Sequence, residues 1–287
     1  MQNNIFVEEC SVRFGDIDRS DTLTVAAAFD FFQEAAINHA EILGVGRDAM
    51  KTTGQVWILS RMSVFMERRP RFGENITVRS WPRGTHKLFA VRDYDIRGAD
   101  GKPAVRGRSG WLILDLEKRR PLRPQGVVEP LPLNDGLDSL PGAAAANEAP
   151  PGLRPEFEGV PSAPSSDPAD RTNLTGPADP TDLSRTVRKA CYSDIDYNGH
   201  MNNTRYIQWI QDLFAPEILE TARSVRLDIN YLSEVKPGER IELLLIPKTP
   251  ADFARPGGYP DPLSAVFALE GRRDTEAVFR AELYTGD

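Results

Sequence analysis

Four polar residues in the C-terminal part of the chain have the types and spacing of a site for acyl transfer. Asp196, Asn198 and His200 alternate along the sequence, and Glu234 follows within the stretch NYLSEV. Alternate side chains of an extended segment project to one side, so we expect the first three to face together. His exchanges protons near neutral pH, an amide group holds a carbonyl or a water, and a carboxylate activates water as a general base. The set predicts hydrolysis of an acyl group.

The same residues also have a purely structural interpretation. Asp196 and Asn198 are turn-forming residue types, and His200 stands where a capping residue is expected. One such residue alone favours that interpretation. All three together, directly before a capped helix, favour function.

A helix must position this segment. Tyr206, Ile210 and Leu213 recur at helical spacing after it, and Asn202 is a good N-cap residue. Free backbone N–H groups at a helix start favour developing negative charge. We therefore expect the helix N-terminus beside the polar segment, with Glu234 arriving from a neighbouring strand.

The N-terminal part of the chain repeats this organisation without the same chemistry. Asp16-Ile17-Asp18 corresponds to Asp194-Ile195-Asp196, and each precedes an apolar-periodic helix. In the first helix the periodic residues are Val25, Phe29, Phe32, Ala36, Ala40 and Leu43, and Thr24 before them matches Asn202 as an N-cap residue type. The matched site positions are Asn198 with Ser20, His200 with Thr22, and Glu234 with Arg69. A site is therefore expected in the C-terminal part alone.

Composition divides the 287 residues into two folded parts and a connection. We predict the same order of elements, a strand, a long helix and several antiparallel strands, in residues 1–124 and in residues 183–287. Hairpin turns are expected at Asp100-Gly101 and at Arg273-Asp274. Residues 125–182 are rich in Pro and lack apolar periodicity, which predicts a linker that contributes little to either core. The alternative is an ordered strap anchored by Leu153, Phe157 and Leu174.

Charge and cysteine content exclude several classes of protein. Lys and Arg number 35 and Asp and Glu 42, a net charge of −7, which argues against a nucleic-acid binder. Two cysteines and three scattered histidines favour neither a disulfide framework nor a metal site. We see no targeting segment and no apolar run long enough to span a bilayer, and the reducing cytoplasm is the expected location.

The order of the elements predicts an α+β fold in which each sheet wraps around one helix. This pattern resembles the hotdog fold, here as a tandem double hotdog within one chain. The resemblance becomes specific in Asp194–Ile210, DIDYNGHMNNTRYIQWI, and in Asn230–Val235, NYLSEV, which resemble the two active-site motifs of the acyl-acyl-carrier-protein thioesterases of plants and bacteria. It covers both folded parts and fails only across 125–182, which looks like an insertion.

By this resemblance Asp196, Asn198, His200 and Glu234 match the catalytic residues of the family, and Tyr231 matches a recurrent Tyr beside them. Plant members often have Cys after that Glu, where this chain has Val235, so a thiol at that position is not required. We expect the other thiol near the motif, Cys191, to be buried and structural.

The resemblance implies hydrolysis of a fatty acyl thioester on acyl carrier protein, with no metal or organic cofactor. Backbone N–H groups at the start of the second helix would stabilise the oxyanion, and a carboxylate nucleophile stays open as a covalent route. The N-terminal part would be non-catalytic and line the acyl chain, and the partners would be the carrier's phosphopantetheine arm and the acyl chain. A homodimer, the chain-length preference and the residues that close the acyl tunnel stay open.

Because the chain is acidic, docking of an acidic carrier needs a local cationic face. The candidates are Arg68, Arg69, Arg71, Lys118, Arg119, Arg120 and Arg123. Alternatives to the main interpretation are an acyl-CoA thioesterase, a hotdog dehydratase and a non-catalytic acyl-binding protein.

Overall fold

The structure, a computed structural model, describes residues 5–134, 137, 139–140, 150, 152–153, 157–158, 160–161, 183–249 and 262–286. The chain divides into two compact units, with the change of unit along the sequence between residues 151 and 152. This division lies inside the Pro-rich segment 125–182. Among the described residues no helix is long and apolar enough to cross a membrane.

The first unit is one antiparallel sheet with a long helix packed on it. Its strands are β1 (Phe6–Ser11), β2 (Gln55–Met66), β3 (Asn75–His86), β4 (Phe89–Arg97), β5 (Pro103–Asp115) and β6 (Arg120–Leu122), and its helices are α1 (Val25–Ile42), α2 (Arg47–Thr52) and α3 (Gln125–Val128). The strand order is β1-β3-β4-β5-β2, and the short β6 pairs with β5. Helix α1 contacts β1, β2 and β3, which places the core between the helix and the sheet.

Helix α1 forms where the sequence predicts it. Thr24 is the N-cap, and its Oγ1 accepts a hydrogen bond from the Ala27 N–H at 3.1 Å. The predicted apolar face is buried at Phe29 and Phe32, among others. A side-chain carbon on Gly107 of β5 would stand 2.6 Å from the Phe32 ring. Glycine at this position therefore lets the helix lie close against the sheet.

The second unit repeats the plan. Its strands are β7 (Ser184–Lys189), β8 (Ser224–Tyr231), β9 (Arg240–Lys248), β10 (Leu263–Arg273) and β11 (Glu276–Gly286), and its helices are α4 (Asn203–Gln211) and α5 (Pro216–Thr221). The antiparallel order is β8-β11-β10-β9-β7. The predicted N-cap is confirmed, because Asn202 Oδ1 accepts from the Thr204 N–H at 2.9 Å.

The long helix predicted for the second unit is shorter than expected. Helix α4 ends at Gln211 and a separate helix, α5, begins at Pro216. Proline has no N–H to continue a helix and holds the preceding residue in an extended conformation, as Ala215 is (φ −59°, ψ 135°). Leu213, predicted on the helix face, is still buried beyond the helix end.

Both predicted hairpins are present. Strands β4 and β5 join around Gly101, where φ is +72°, and strands β10 and β11 join at Asp274, where φ is +53°. An antiparallel sheet with a helix against it, repeated in each unit, is the arrangement predicted as a tandem hotdog. The α+β class is confirmed.

The Pro-rich segment was expected to contribute little to either core, but some of its described residues are buried. In the first unit Val128 and Leu140 are buried. The Ser139 N–H donates to Asp93 Oδ2 at 3.0 Å, and Trp81 Nε1 donates to the Leu137 carbonyl at 3.0 Å. Backbone groups of the segment thus satisfy buried polar groups of the sheet.

In the second unit the segment is anchored by Phe157, as the strap alternative predicted. Phe157 is 2% exposed and packs against Leu244 and Ala268. Arg272 of β10 donates to the carbonyls of Phe157 and Val160. Leu153, the second predicted anchor, is half-buried, and Leu174, the third, lies outside the described residues. An isolated aromatic residue gives no periodic signal, which is why composition alone favoured a linker.

Candidate active site

The segment that carries the first three candidate residues is a tight turn rather than an extended strand. The Asp196 N–H donates to the His200 carbonyl at 2.9 Å, and the Gly199 N–H donates to the Asp196 carbonyl at 3.0 Å. Gly199 has φ +81°, a left-handed conformation that glycine adopts without steric cost. The expected one-sided projection of alternating side chains is therefore wrong.

Asp196 holds this turn in shape. Its Oδ1 accepts from the Asn198 N–H at 2.8 Å, the usual hydrogen bond of an Asx turn. Asp196 therefore contacts both other members of the motif through their backbones, and it leaves the exposed Asn198 side chain to solvent.

Backbone hydrogen bonds bring the turn next to the loop that carries Glu234. The Met201 N–H donates to the Val235 carbonyl at 2.8 Å, and the Asn202 N–H donates to the Asp194 carbonyl at 2.8 Å. The first bond ties the residue after His200 to the residue after Glu234. Two segments more than thirty residues apart are thereby aligned.

His200 and Glu234 form the contact at the centre of the site. His200 Nε2 lies 3.1 Å from Glu234 Oε2, and the two side chains are 32% and 57% exposed. With a proton on Nε2, the ring donates to the carboxylate. Both groups remain open to a water or a substrate. This pair of proton-exchanging groups is what a water-activating site requires.

Buried aromatic residues support the site from behind. Tyr231 Oη donates to the Asn203 carbonyl at 3.1 Å, at the start of α4. The Tyr206 ring packs edge-on against Tyr231, with centroids 5.5 Å apart. Burial raises the pKa of Tyr206, and the nearby Glu234 carboxylate acts in the same direction. Tyr206 therefore stays a neutral phenol, and both rings serve packing.

The N-terminal unit builds the same turn with different chemistry. The Asp18 N–H donates to the Thr22 carbonyl at 3.1 Å, and the Leu23 N–H donates to the Pro70 carbonyl at 2.8 Å, as at the C-terminal site. In place of the His–Glu pair, the buried Arg69 side chain forms an ion pair with Asp18. Burial would raise the pKa of Asp18, but hydrogen bonds from Ser20 and Arg69 hold it below its ordinary value.

Cys191 is exposed, so the expectation of a buried structural thiol is wrong. It precedes the short helical turn Tyr192–Asp194, and its N–H donates to Asp194 Oδ2 at 2.8 Å. Arg13 makes the same backbone bond to Asp16 in the first unit. What the two units share at this position is the backbone hydrogen bond to the aspartate, and a buried thiol is not part of it.

No sequence pattern indicates a role in the site for Arg273, which contacts the loop bearing Glu234. It closes β10, and its guanidinium donates to the Glu234 carbonyl at 3.2 Å and to Ser233 Oγ at 3.1 Å. The same group pairs with Glu239 and Glu276, each at 3.0 Å. The sequence predicts only the turn at Arg273-Asp274, because the hydrogen-bond acceptors of Arg273 are brought to it by the fold.

The cationic candidates for carrier docking are not equivalent. Arg69 is buried in its ion pair with Asp18 and is removed from this set. Arg68 is paired with Glu74, at 2.6 Å. The exposed candidates around β6 are Arg119, Arg120, Arg123 and Lys118, the last of which pairs with Asp115 at 3.6 Å. Within the described ranges no three His, Cys, Asp or Glu side chains are grouped as metal ligands.

Two family models match the chain. The acyl-ACP thioesterase N-terminal domain matches residues 3–129, and the acyl-ACP thioesterase C-terminal domain matches residues 178–256. Together these two ranges cover more than half of the 287 residues.

Curated relatives carry the same family description. The palmitoyl-acyl carrier protein thioesterase of Cuphea hookeriana, a chloroplastic protein, is 27% identical over 237 residues, which are 80% of this chain and 52% of that protein. The chain thus spans about half the length of this relative. Because the plant relative is chloroplastic, the expected cytoplasmic location stays a prediction.

Solved structures with the same fold cover nearly the whole chain. An acyl-ACP thioesterase from Bacteroides thetaiotaomicron has a TM-score of 0.67 at 23% identity, covering 99% of this chain and 98% of its own. The 12:0-ACP thioesterase from Umbellularia californica has a TM-score of 0.70 at 18% identity, covering 99% and 95%. The fold and both matched domains agree with the predicted motifs, and the chain belongs to the acyl-ACP thioesterase family.

Proposed function

We propose that this protein hydrolyses fatty acyl thioesters of acyl carrier protein and releases the free fatty acid. The observation that carries the proposal is the contact of His200 Nε2 with Glu234 Oε2 at 3.1 Å, open to solvent beside the start of α4. The corresponding place in the N-terminal unit holds an ion pair of Asp18 and Arg69. The family membership agrees with this chemistry.

In the proposed reaction, Glu234 and His200 position a water and remove its proton as it attacks the thioester carbon. The tetrahedral intermediate then collapses, the carbon–sulfur bond breaks, and the proton passes to the leaving thiolate. The products are a fatty acid and the free thiol of the phosphopantetheine arm. Positioned acid–base groups of this kind contribute roughly 10²–10⁴-fold to a rate. A carboxylate nucleophile is the alternative route.

Asn198 and Asp196 have supporting roles in this proposal. The exposed Asn198 amide orients the thioester or the water, and Asp196 fixes the turn through its 2.8 Å bond to the Asn198 N–H. At the start of α4 the Thr204 and Arg205 N–H groups already donate to Asn202, at 2.9 Å each. We therefore assign the oxyanion to the Asn203 N–H, the remaining donor of this first turn.

We assign different roles to the two parts of the chain. The catalytic residues belong to 183–287, and we assign the acyl chain to 1–124, whose core is built around α1. The carrier's phosphopantetheine arm delivers the thioester, and the exposed cationic group of Arg119, Arg120 and Arg123 suits an acidic carrier. A homodimer stays a prediction.

Release of free thiol from a panel of acyl thioesters tests the proposal. The panel holds acyl chains of several lengths on acyl carrier protein and on coenzyme A. We expect turnover on the carrier protein, with a higher kcat/KM than on coenzyme A. Turnover on coenzyme A alone would assign the substrate to acyl-CoA, and a folded protein that releases no thiol would identify an acyl-binding protein.

A further inference from the structure

Arg273 ties together the whole loop that carries Glu234. One guanidinium nitrogen, Nη1, donates to the Glu234 carbonyl at 3.2 Å and to Glu239 Oε2 at 3.0 Å. The other, Nη2, donates to Ser233 Oγ at 3.1 Å and to Glu276 Oε2 at 3.0 Å. Four acceptors on two segments, the β8–β9 loop and the start of β11, thus share one planar group, a geometry that a lysine cannot reproduce.

The first unit has an equivalent ion pair between a glutamate and an arginine. Glu74 of the first unit corresponds to Glu239, because the Arg71 N–H donates to Glu74 Oε2 at 3.1 Å as the Lys236 N–H donates to Glu239 Oε2 at 2.9 Å. Both carboxylates close the loop between two strands. Each is paired with an arginine.

The two arginines lie on different elements, Arg68 on the loop and Arg273 at the end of β10. In the first unit the partner is Arg68, on the loop itself, and it meets Glu74 through two bonds of 2.8 and 2.6 Å. A side-chain carbon on Gly98, which follows β4, would stand 2.2 Å from the Arg68 guanidinium. A side chain at this position would therefore displace the Arg68–Glu74 pair.

In the second unit the positions are exchanged. Ser233 takes the place of Arg68, because the N–H groups of both residues donate to the corresponding carbonyls, of Val278 and Ala104, at 3.1 Å. The register shift between Gly271 and Arg272 of β10 corresponds to the shift between Ile96 and Arg97 of β4, so the counterpart of Gly98 is Arg273. Arg273 at the end of β10 donates to the Glu234 carbonyl, and this bond attaches the residue that faces His200 to the β10–β11 hairpin.

We propose that Arg273 is a positioning residue for the reaction, which holds the Glu234 carboxylate at its contact distance from His200 by gripping the backbone of Glu234. This inference rests on the proposed function of Glu234. Arg273 acts through Glu234, so its loss lowers kcat while leaving KM close to its original value. Misplacement of a reacting group by about 1 Å can cost roughly 100-fold in rate, and we expect at least a 10-fold fall in kcat for Arg273→Ala.

A double-mutant cycle tests this assignment. Arg273→Ala, Glu234→Gln and the double variant are compared with the unchanged protein for kcat and KM on one acyl-carrier substrate. We expect Arg273→Ala to lower kcat at least about 10-fold alone and by less than about 2-fold in the Glu234→Gln background. Arg273→Lys keeps the charge but loses the fork, and we expect it to stay well below the original kcat while the protein remains folded.

The matched control is Arg97→Ala. Arg97 ends β4 in the first unit, is 31% exposed against 29% for Arg273, and donates to the Gly101 carbonyl of its own hairpin at 2.8 Å. We expect this variant to keep kcat within about 2-fold, as for a surface residue away from the site.

Each other outcome has a distinct meaning. An equal loss of kcat in both backgrounds, or a rise in KM alone, would overturn the positioning role of Arg273. Full activity of Arg273→Lys would reduce that role to charge. Full activity of folded Glu234→Gln would instead overturn the proposed catalytic role of Glu234, independently of Arg273.

Discussion

Replacement of Phe157 by alanine measures whether the Pro-rich segment belongs to the folded core. The side chain is 2% exposed and packs against Leu244 and Ala268. Removal of a fully buried Phe costs its transfer free energy and leaves a cavity, together about 3–5 kcal/mol. We take the lower end, about 3 kcal/mol, because a strap held from one side can partly collapse into the space. For a chain of this size that corresponds to a Tm lowered by roughly 6–12 °C.

Differential scanning calorimetry of the full chain, with urea unfolding beside it, supplies the measurement. Phe14→Ala is the matched control, because it makes the same chemical change at a residue that is 79% exposed. We expect that control to change the free energy of unfolding by less than about 1 kcal/mol. Equal, small effects of both substitutions would refute the strap and restore the linker interpretation.

Three further predictions concern other parts of the molecule. Burial, with a smaller contribution from a neighbouring guanidinium, lowers the pKa of His39 from 6.5 to about 4. Between pH 7 and pH 4 the unfolded chain therefore binds a proton at His39 more strongly than the folded chain does. The free energy of unfolding should fall by roughly 3 kcal/mol over this range for this reason. Urea titrations of His39→Gln should lack this part of the loss. Gly107→Ala should destabilise by about 1–3 kcal/mol, because its Cβ would stand 2.6 Å from the Phe32 ring, whereas Gly126→Ala, with open space around it, should be near neutral in the same calorimetry. Cys191→Ser should retain thioesterase turnover, and its complete loss in a folded variant would reinstate a thiol nucleophile.

The parts of the fold that sequence predicts are those with a local signal. The periodic apolar residues of α1, the N-caps Thr24 and Asn202, and the hairpin at Gly101 each depend on neighbours in the chain. The internal repeat also predicts that the site lies in the C-terminal part alone, because it matches Glu234 with Arg69. In the structure these two residues make different contacts: Glu234 faces His200, and Arg69 pairs with Asp18.

The parts that sequence missed depend on tertiary contacts or on a choice between two local structures. The alternation of Asp196, Asn198 and His200 is compatible with both an extended segment and an Asx turn, and the bond to the Asn198 N–H selects the turn. The role of Arg273 requires acceptors from the β8–β9 loop and from the start of β11. Phe157 is a single buried residue in a stretch without periodicity, so no pattern announces it.

The most direct test is the hydrolysis of an acyl-carrier thioester by variants matched between the two units. His200→Ala and Glu234→Gln remove the two groups that contact each other, and Thr22→Ala is the counterpart of His200→Ala in the N-terminal unit. We expect turnover to fall by roughly 10²–10⁴-fold for the first two and to stay within about 3-fold for Thr22→Ala, with circular dichroism unchanged. A folded His200→Ala or Glu234→Gln protein with the original turnover would refute the catalytic role of this pair.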